Sequence, residues 1–184
     1  MADGGDPGAT LQRLIDGHRI SQAIHAAAVL GIADAIGEQA RGVSEIAAAT
    51  ACDGPSLHRL LRALAAVGVL HEGEDGRFTL TPVGACLCAG APRARAAWAS
   101  LAGVASVRAA WGALAAGVRT GTTPFVTVHG HDVWTHRSGL AGESAIFDAA
   151  MREAAARAAP GILAAGGFAR FRRIVDVGGG DGAL

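Results

Sequence analysis

The residues best suited to chemistry in this 184-residue chain are an acidic and glycine-rich segment at its C-terminal end. Residues 174–177 read Ile-Val-Asp-Val, and residues 178–182 read Gly-Gly-Gly-Asp-Gly. Because glycine has no Cβ, such a turn lets backbone N–H groups approach a nucleotide-like ligand. We therefore predict a buried parallel strand over residues 174–177, followed by a cofactor-binding turn. The predicted cofactor-binding residues are Asp176, Gly178, Gly179 and Gly180.

Two known loop patterns fit this turn. Asp176, Gly178, Gly180 and Gly182 fill acidic-x-Gly-x-Gly-x-Gly, which resembles the opening of an S-adenosylmethionine-dependent methyltransferase domain. Gly178, Gly180 and Ala183 also fit Gly-x-Gly-x-x-Gly/Ala, the dinucleotide-binding fingerprint. The loop leaves both interpretations open, so the residues before it must distinguish them.

Residues of metal-binding type occur without metal-binding spacing. His129-x-His131 is followed by Asp132, and Cys86 and Cys88 are one residue apart. A four-coordinate site needs third and fourth ligands, and no second pair stands nearby in sequence. We therefore expect no metal site, and we expect packing or surface histidines and buried helical thiols.

Composition excludes several classes of protein. The chain is 51% hydrophobic and 17% charged, with a formal net charge of zero. It can bury a core, but it lacks the basic surface that nucleic acid or an anionic membrane requires. No stretch is long and apolar enough to predict a membrane span, and no secretory signal precedes the first helix. We expect a cytoplasmic protein with no nucleic-acid or membrane partner.

The residues from 11 to 90 predict a winged helix, after a flexible tail over residues 1–10. Helical periodicity runs from Leu11 to Ile32, and a short helix capped near Ser44 follows. Asp53 caps a second helix, with apolar residues at positions 57, 60, 61, 64 and 67. Residues 69–71 and 78–80 then form the two strands of the wing.

A winged helix suggests DNA binding, and Arg59 and Arg62 lie on the candidate recognition helix. However, Glu72, Glu74 and Asp75 make the wing acidic, whereas a DNA-binding wing needs basic residues that contact phosphates. We therefore favour a packing and dimerisation module over a DNA reader.

The rest of the chain is predicted to be helical up to the cofactor strand, so the fold class is mainly α. One apolar helix stripe is expected over residues 91–123, from Trp98 to Val118. A last helix should begin at Ser144 and end near Pro160. Residues 91–165 thus form a helical connector, and residues 166–184 begin an α/β cofactor domain of which only the first strand is present.

The order of these motifs resembles the N-terminal half of the small-molecule O-methyltransferases, the family of plant phenolic and bacterial polyketide-tailoring enzymes. The resemblance rests on GRFTLTPVG (76–84), GTTPF (121–125), HGHDVW (129–134), FDAAM (147–151) and VDVGGGDG (175–182). It implies a homodimer joined through residues 11–90, S-adenosylmethionine as cofactor, and a small aromatic or polyketide hydroxyl as acceptor. It also implies that four residues line the acceptor pocket: Phe147, Met151, Phe125 and Trp134.

The resemblance also implies what this chain lacks. In the family, the catalytic base is a histidine well after the glycine loop, and the residue that holds the cofactor ribose follows the second strand. We therefore identify no catalytic residue here and expect the chain alone to be inactive, with a separate chain as one source of the missing half. The alternatives are a winged-helix DNA-binding regulator and a stand-alone dimerisation module.

Overall fold

A computed structural model describes residues 6–179 and residue 182. The chain divides into two compact units between Ala91 and Pro92. The elements of the first unit are α1 (Pro7–Val29), α2 (Ile32–Ile36), α3 (Val43–Thr50), α4 (Gly54–Ala66), β1 (Leu70–Glu72) and β2 (Phe78–Leu80), followed by a 3-10 helix (Gly84–Leu87).

The first helix begins earlier than predicted. Asp6 accepts hydrogen bonds from the N–H groups of Gly8 and Ala9, so α1 starts at Pro7 rather than at Leu11. Residues 7–10 are therefore helical rather than part of a tail, and residues 1–5 of the predicted tail lie outside the described residues. An acidic residue before a proline is a strong helix start, because it satisfies otherwise unpaired N–H groups.

The middle of the first unit follows the prediction closely. Asp53 caps α4 by accepting a hydrogen bond from the Ser56 N–H at 2.9 Å. The helix predicted to be capped near Ser44 begins after Gly42, whose N–H donates to the Glu45 carboxylate at 2.8 Å. The side chains that α2, α3, α4 and β2 bury most completely are those of Ile32, Ile36, Ile46, Leu61, Leu64 and Phe78.

The two strands pair antiparallel, with Leu70 opposite Leu80 and Glu72 opposite Phe78. Arg41 extends this pairing through two backbone hydrogen bonds with Phe78. Gly84 packs so closely behind β1 that a Cβ atom would collide with the Val69 carbonyl oxygen. The predicted order of two helices followed by two strands is therefore present.

The second unit consists of α5 (Ala96–Ala102), α6 (Ala105–Gly112), α7 (Leu114–Thr120), α8 (Pro124–His129), α9 (Val133–Ser138) and α10 (Ala141–Gly166), with a 3-10 helix (Phe168–Arg170) after α10. The single apolar stripe predicted over residues 91–123 is wrong. The backbone leaves the helical conformation at Val104 and Ala113, so three short helices replace one long face.

The longest helix of this unit is α10, which hydrogen-bonds to the start of α5. It starts at Ala141, three residues before the predicted start at Ser144, and continues through Pro160 to Gly166. Proline removes one N–H donor from the helix, and here the neighbouring turns continue despite that loss. Glu153 of α10 accepts hydrogen bonds from the N–H groups of Ala97 and Trp98, which fixes the start of α5 against α10.

The predicted cofactor strand is not formed. Residues 174–177 are irregular and pair with no strand in the described part of the chain. Ile174, Val175 and Val177 are 60%, 74% and 91% exposed. A parallel strand exists only through hydrogen bonds to its neighbours, so apolar alternation alone cannot produce it. Within residues 6–179 and residue 182, no helix is long and apolar enough to cross a membrane.

Candidate cofactor loop and acceptor-pocket helices

The turn after residue 177 shows why glycine is needed there. Gly178 has a φ of +81°, a conformation that residues with a Cβ rarely adopt. A Cβ on Gly179 would collide with the Asp176 carboxylate. The Gly182 N–H donates to the Gly179 carbonyl at 2.9 Å, which closes the turn. Gly180, the fourth predicted cofactor residue, lies outside the described residues.

A cavity of about 410 Å³ adjoins this loop. Ile162, Leu163 and Phe168 form one part of its wall, and Ile174, Val175 and Asp176 form another. The carboxylate of Asp176 is thus a charged group at an otherwise apolar cavity. Apolar walls with a single acidic residue are a composition typical of small-molecule and cofactor sites.

Two of the predicted acceptor-pocket residues meet in the structure. The rings of Trp134 and Phe147 lie edge to face, with centroids 5.6 Å apart. Trp134 is 64% exposed, and Phe147 is half-buried on α10. Met151 is half-buried one turn further along the same helix. Trp134 on α9 therefore contacts Phe147 on α10, and Met151 follows Phe147 one turn later on α10.

Phe125 is placed differently, because it is only 9% exposed and its ring contacts two histidines. Its ring centroid is 4.4 Å from that of His129 and 5.3 Å from that of His136. His131 and His136 are 5.2 Å apart. Phe125 also contributes to an apolar cavity of about 280 Å³ beside Trp111. Phe125 thus occupies a packing position, and its contact with a substrate stays a prediction.

Hydrogen bonds tie the three histidines, hereafter the histidine cluster, to the surrounding helices. His129 donates through Nε2 to the Ser106 carbonyl at 3.0 Å, and His131 through Nδ1 to the His129 carbonyl at 2.7 Å. The Ser106 hydroxyl donates to the Glu143 carboxylate at 2.6 Å, and His136 Nε2 lies 3.6 Å from the same oxygen. The cluster therefore connects α6, α8, α9 and α10.

Asp132 has a structural task in this region. It caps α9 by accepting hydrogen bonds from the N–H groups of Trp134 and Thr135 and from the Thr135 hydroxyl. These bonds, led by the one from the Thr135 N–H, lower the pKa of Asp132. Among residues 6–179 and residue 182, no group of three histidine, cysteine, aspartate or glutamate side chains is placed so that it could hold a metal ion. His129 is the last residue of α8.

Sequence patterns did not single out Arg137, Ser106 or Glu143. The guanidinium of Arg137 stacks on Phe147, with its Cζ atom 3.8 Å from the ring centroid. Its position three residues after Trp134 on one helix was the available signal. Ser106 and Glu143 are 37 residues apart, so no local pattern could connect them.

Polar residues of the candidate recognition helix α4 contact β1, the first strand of the wing. Glu72 of β1 lies 3.6 Å from the Arg62 guanidinium and 3.8 Å from the His58 ring. Arg59 donates a hydrogen bond to the Ser56 hydroxyl. These contacts occupy the groups that the DNA-reading alternative would use.

Comparison with known proteins decides the family. Residues 12–90 match the O-methyltransferase dimerisation domain, and residues 111–184 match the O-methyltransferase domain. The chain belongs to the O-methyltransferase family. It is 37% identical to O-methyltransferase SfmM3 of Streptomyces lavendulae over 95% of this chain and 52% of that protein. The chain spans about half the length of the curated relatives it matches.

Solved structures agree with this assignment. The crystal structure of LaPhzM superposes with a TM-score of 0.91 at 30% identity, over 98% of this chain and 54% of that protein. CalO1, a methyltransferase in calicheamicin biosynthesis solved with S-adenosylhomocysteine bound, superposes with a TM-score of 0.80 at 28% identity. That match covers 100% of this chain and 55% of CalO1. The fold is therefore that of the N-terminal portion of these proteins.

Proposed function

We propose that this chain provides the dimerisation domain and the first part of the cofactor domain of an S-adenosylmethionine-dependent O-methyltransferase. The acceptor is a hydroxyl group on a small aromatic or polyketide natural product. The observation that carries the proposal is the turn of residues 176–179, where glycine packs on an acidic side chain, in a chain whose two parts match both O-methyltransferase domains in order.

Each part of the site has a distinct task in this proposal. Gly178 and Gly179 let the backbone approach the cofactor, and Asp176 holds the turn in shape. S-adenosylmethionine, when bound, supplies the methyl group from its sulfonium. Trp134, Phe147 and Met151 hold the aromatic acceptor, and the burial of Phe125 supports the helix that precedes Trp134.

Methyl transfer also needs in-line approach of the acceptor oxygen and a base for its proton. We propose that this base belongs to the half of the family fold that the chain does not span. Histidines 129, 131 and 136 are held within the histidine cluster by hydrogen bonds and ring contacts. The chain alone is therefore proposed to be inactive.

Homodimerisation is part of the same proposal. Leu11, Leu14 and Ile15 are 58%, 74% and 56% exposed along one face of α1. Their spacing of three and four residues forms a continuous apolar stripe, which a partner would cover. The stripe lies in the region that matches the dimerisation domain.

The test compares the 184-residue chain with the same chain co-expressed with the remaining half of a relative's methyltransferase domain. Each sample receives S-adenosylmethionine and a panel of hydroxylated aromatic compounds, and S-adenosylhomocysteine release is measured. We expect release only from the combined sample. If the combined sample binds S-adenosylhomocysteine but releases none with any acceptor, the chain is better explained as a dimerisation module.

A further inference from the structure

Arg137 is held by two aromatic rings of the proposed acceptor site. Its Cζ atom lies 3.8 Å from the Phe147 ring centroid and 5.6 Å from that of Trp134. The aromatic faces attract a cation through their quadrupoles, and a planar guanidinium stacks on them well. One face of the guanidinium is therefore fixed, while its N–H groups point outward along its edges.

Within residues 6–179 and residue 182, the N–H groups of Arg137 have no protein partner. In the described part of the chain, no carboxylate lies within ion-pair distance of Arg137 and no hydrogen bond to it is formed. Burial is the main influence on this half-buried side chain and lowers the pKa of Arg137. A partly desolvated guanidinium without an anionic partner is costly, so the position favours binding of an anion.

The nearby acidic residues do not fill this role. Glu143 and Asp148 act on Arg137 only at longer range. The Glu143 carboxylate already accepts the Ser106 hydroxyl and lies next to His136. An anion that pairs with Arg137 would therefore come from a bound ligand rather than from Glu143 or Asp148.

The neighbouring rings indicate the rest of the ligand. Trp134 is 64% exposed, so its ring offers a free face beside the guanidinium. An aromatic ring could stack on this face while its carboxylate meets the guanidinium edge. A carboxylate matches the two parallel N–H groups of arginine in a bidentate pair.

We propose that Arg137 is a specificity residue that binds the carboxylate of an aromatic hydroxy acid stacked on Trp134. The inference deepens the proposed function, because it places an acidic acceptor on the same two helices. It assigns the substrate class to aromatic acids rather than to neutral phenols.

The test is calorimetric titration of the full 184-residue chain with 3-hydroxy-2-naphthoate and with its neutral carboxamide. The acid should bind the native chain about tenfold more tightly than the amide, the ratio expected for one charge-assisted pair. Arg137→Gln should remove this preference, and Arg137→Lys should keep part of it. Arg157→Gln, which changes an exposed arginine on α10, should leave the preference unchanged.

Circular dichroism of each variant checks that the fold is retained. Equal affinity for acid and amide in the native chain, or no binding of either, would overturn the proposal. Persistence of the preference in a folded Arg137→Gln chain would also overturn it. The titration needs neither S-adenosylmethionine nor methyl transfer, so a carboxylate preference can be established even where the proposed methylation fails.

Discussion

The Ser106 hydroxyl donates a 2.6 Å hydrogen bond to the Glu143 carboxylate and thereby joins α6 to the first turn of α10. Ser106 is only 5% exposed, and its carbonyl oxygen accepts a hydrogen bond from the His129 ring on α8. We predict that Ser106→Ala lowers the free energy of unfolding by about 1 kcal/mol, because Glu143 loses a buried donor. Urea unfolding followed by circular dichroism measures the change.

Ser138→Ala is the matched control for this prediction. Ser138 is exposed and donates only to the Thr135 carbonyl within its own helix. Its removal should change stability by less than about 0.5 kcal/mol. Equal effects of the two substitutions would show that the Ser106–Glu143 bond does not stabilise the second unit.

Two glycines of the first unit should respond to alanine with opposite signs. Gly84→Ala introduces a Cβ against the Val69 carbonyl oxygen and should destabilise the fold by about 1–3 kcal/mol. Gly17 lies inside α1, and a Cβ added there would have no neighbouring atom within 4 Å. Gly17→Ala should therefore stabilise the fold by about 0.5–1 kcal/mol. Thermal unfolding of both variants tests the pair. An unchanged unfolding temperature for Gly84→Ala would mean that the backbone around Gly84 can move away from the Val69 carbonyl oxygen.

Acid should weaken the helix caps in a defined direction. Hydrogen bonds from the Ser56 side chain and N–H lower the pKa of Asp53 in the folded state. A lowered pKa contributes stability that is fully present above the ordinary value of about 4 and is lost as the pH falls through the folded value. Asp53→Asn keeps the capping oxygen without the titration, so its unfolding temperature should fall less between about pH 5 and pH 2. Parallel curves for the two proteins would contradict this explanation.

A charge within the apolar stripe of α1 should separate the proposed dimer. Leu14→Glu places a carboxylate at a side chain that is 74% exposed in the single chain and that the proposed dimer would cover. We expect the native chain to sediment as a dimer at tens of micromolar and the variant as a monomer. Gln12→Glu, at an exposed polar position of the same helix, should remain dimeric. A native monomer under these conditions would remove the proposed role of α1.

The cofactor turn should tolerate no side chain at Gly179. Gly179→Ala forces a Cβ into the Asp176 carboxylate, so the turn must change shape. In the chain combined with the remaining half of a methyltransferase domain, S-adenosylhomocysteine affinity should fall by at least about tenfold, the factor that corresponds to 1.4 kcal/mol. Gly142→Ala, which has open space at the start of α10, should bind normally. Isothermal titration calorimetry provides the comparison.

Local patterns predicted the elements that depend on local interactions. Asp53 before Pro55 predicted the start of α4, and the leucine spacing predicted its buried face. The order of short motifs predicted the family, which the domain matches confirm. The cap and the buried face of α4 depend on contacts that lie within a few residues of each other or within one helix, whereas the family depends on the order of motifs along the chain.

Tertiary structure decided what depends on distant partners. Residues 174–177 have the composition of a buried strand, yet they remain irregular and exposed, since strand pairing requires neighbours that local sequence cannot supply. The same holds for Ser106 and Glu143, which are 37 residues apart and are brought together only by the folding of the second unit. The sequence by itself determined the family, the buried leucine face of α4 and the glycine turn. Only packing placed Arg137 against Phe147, because the stack needs two helices held at a fixed distance.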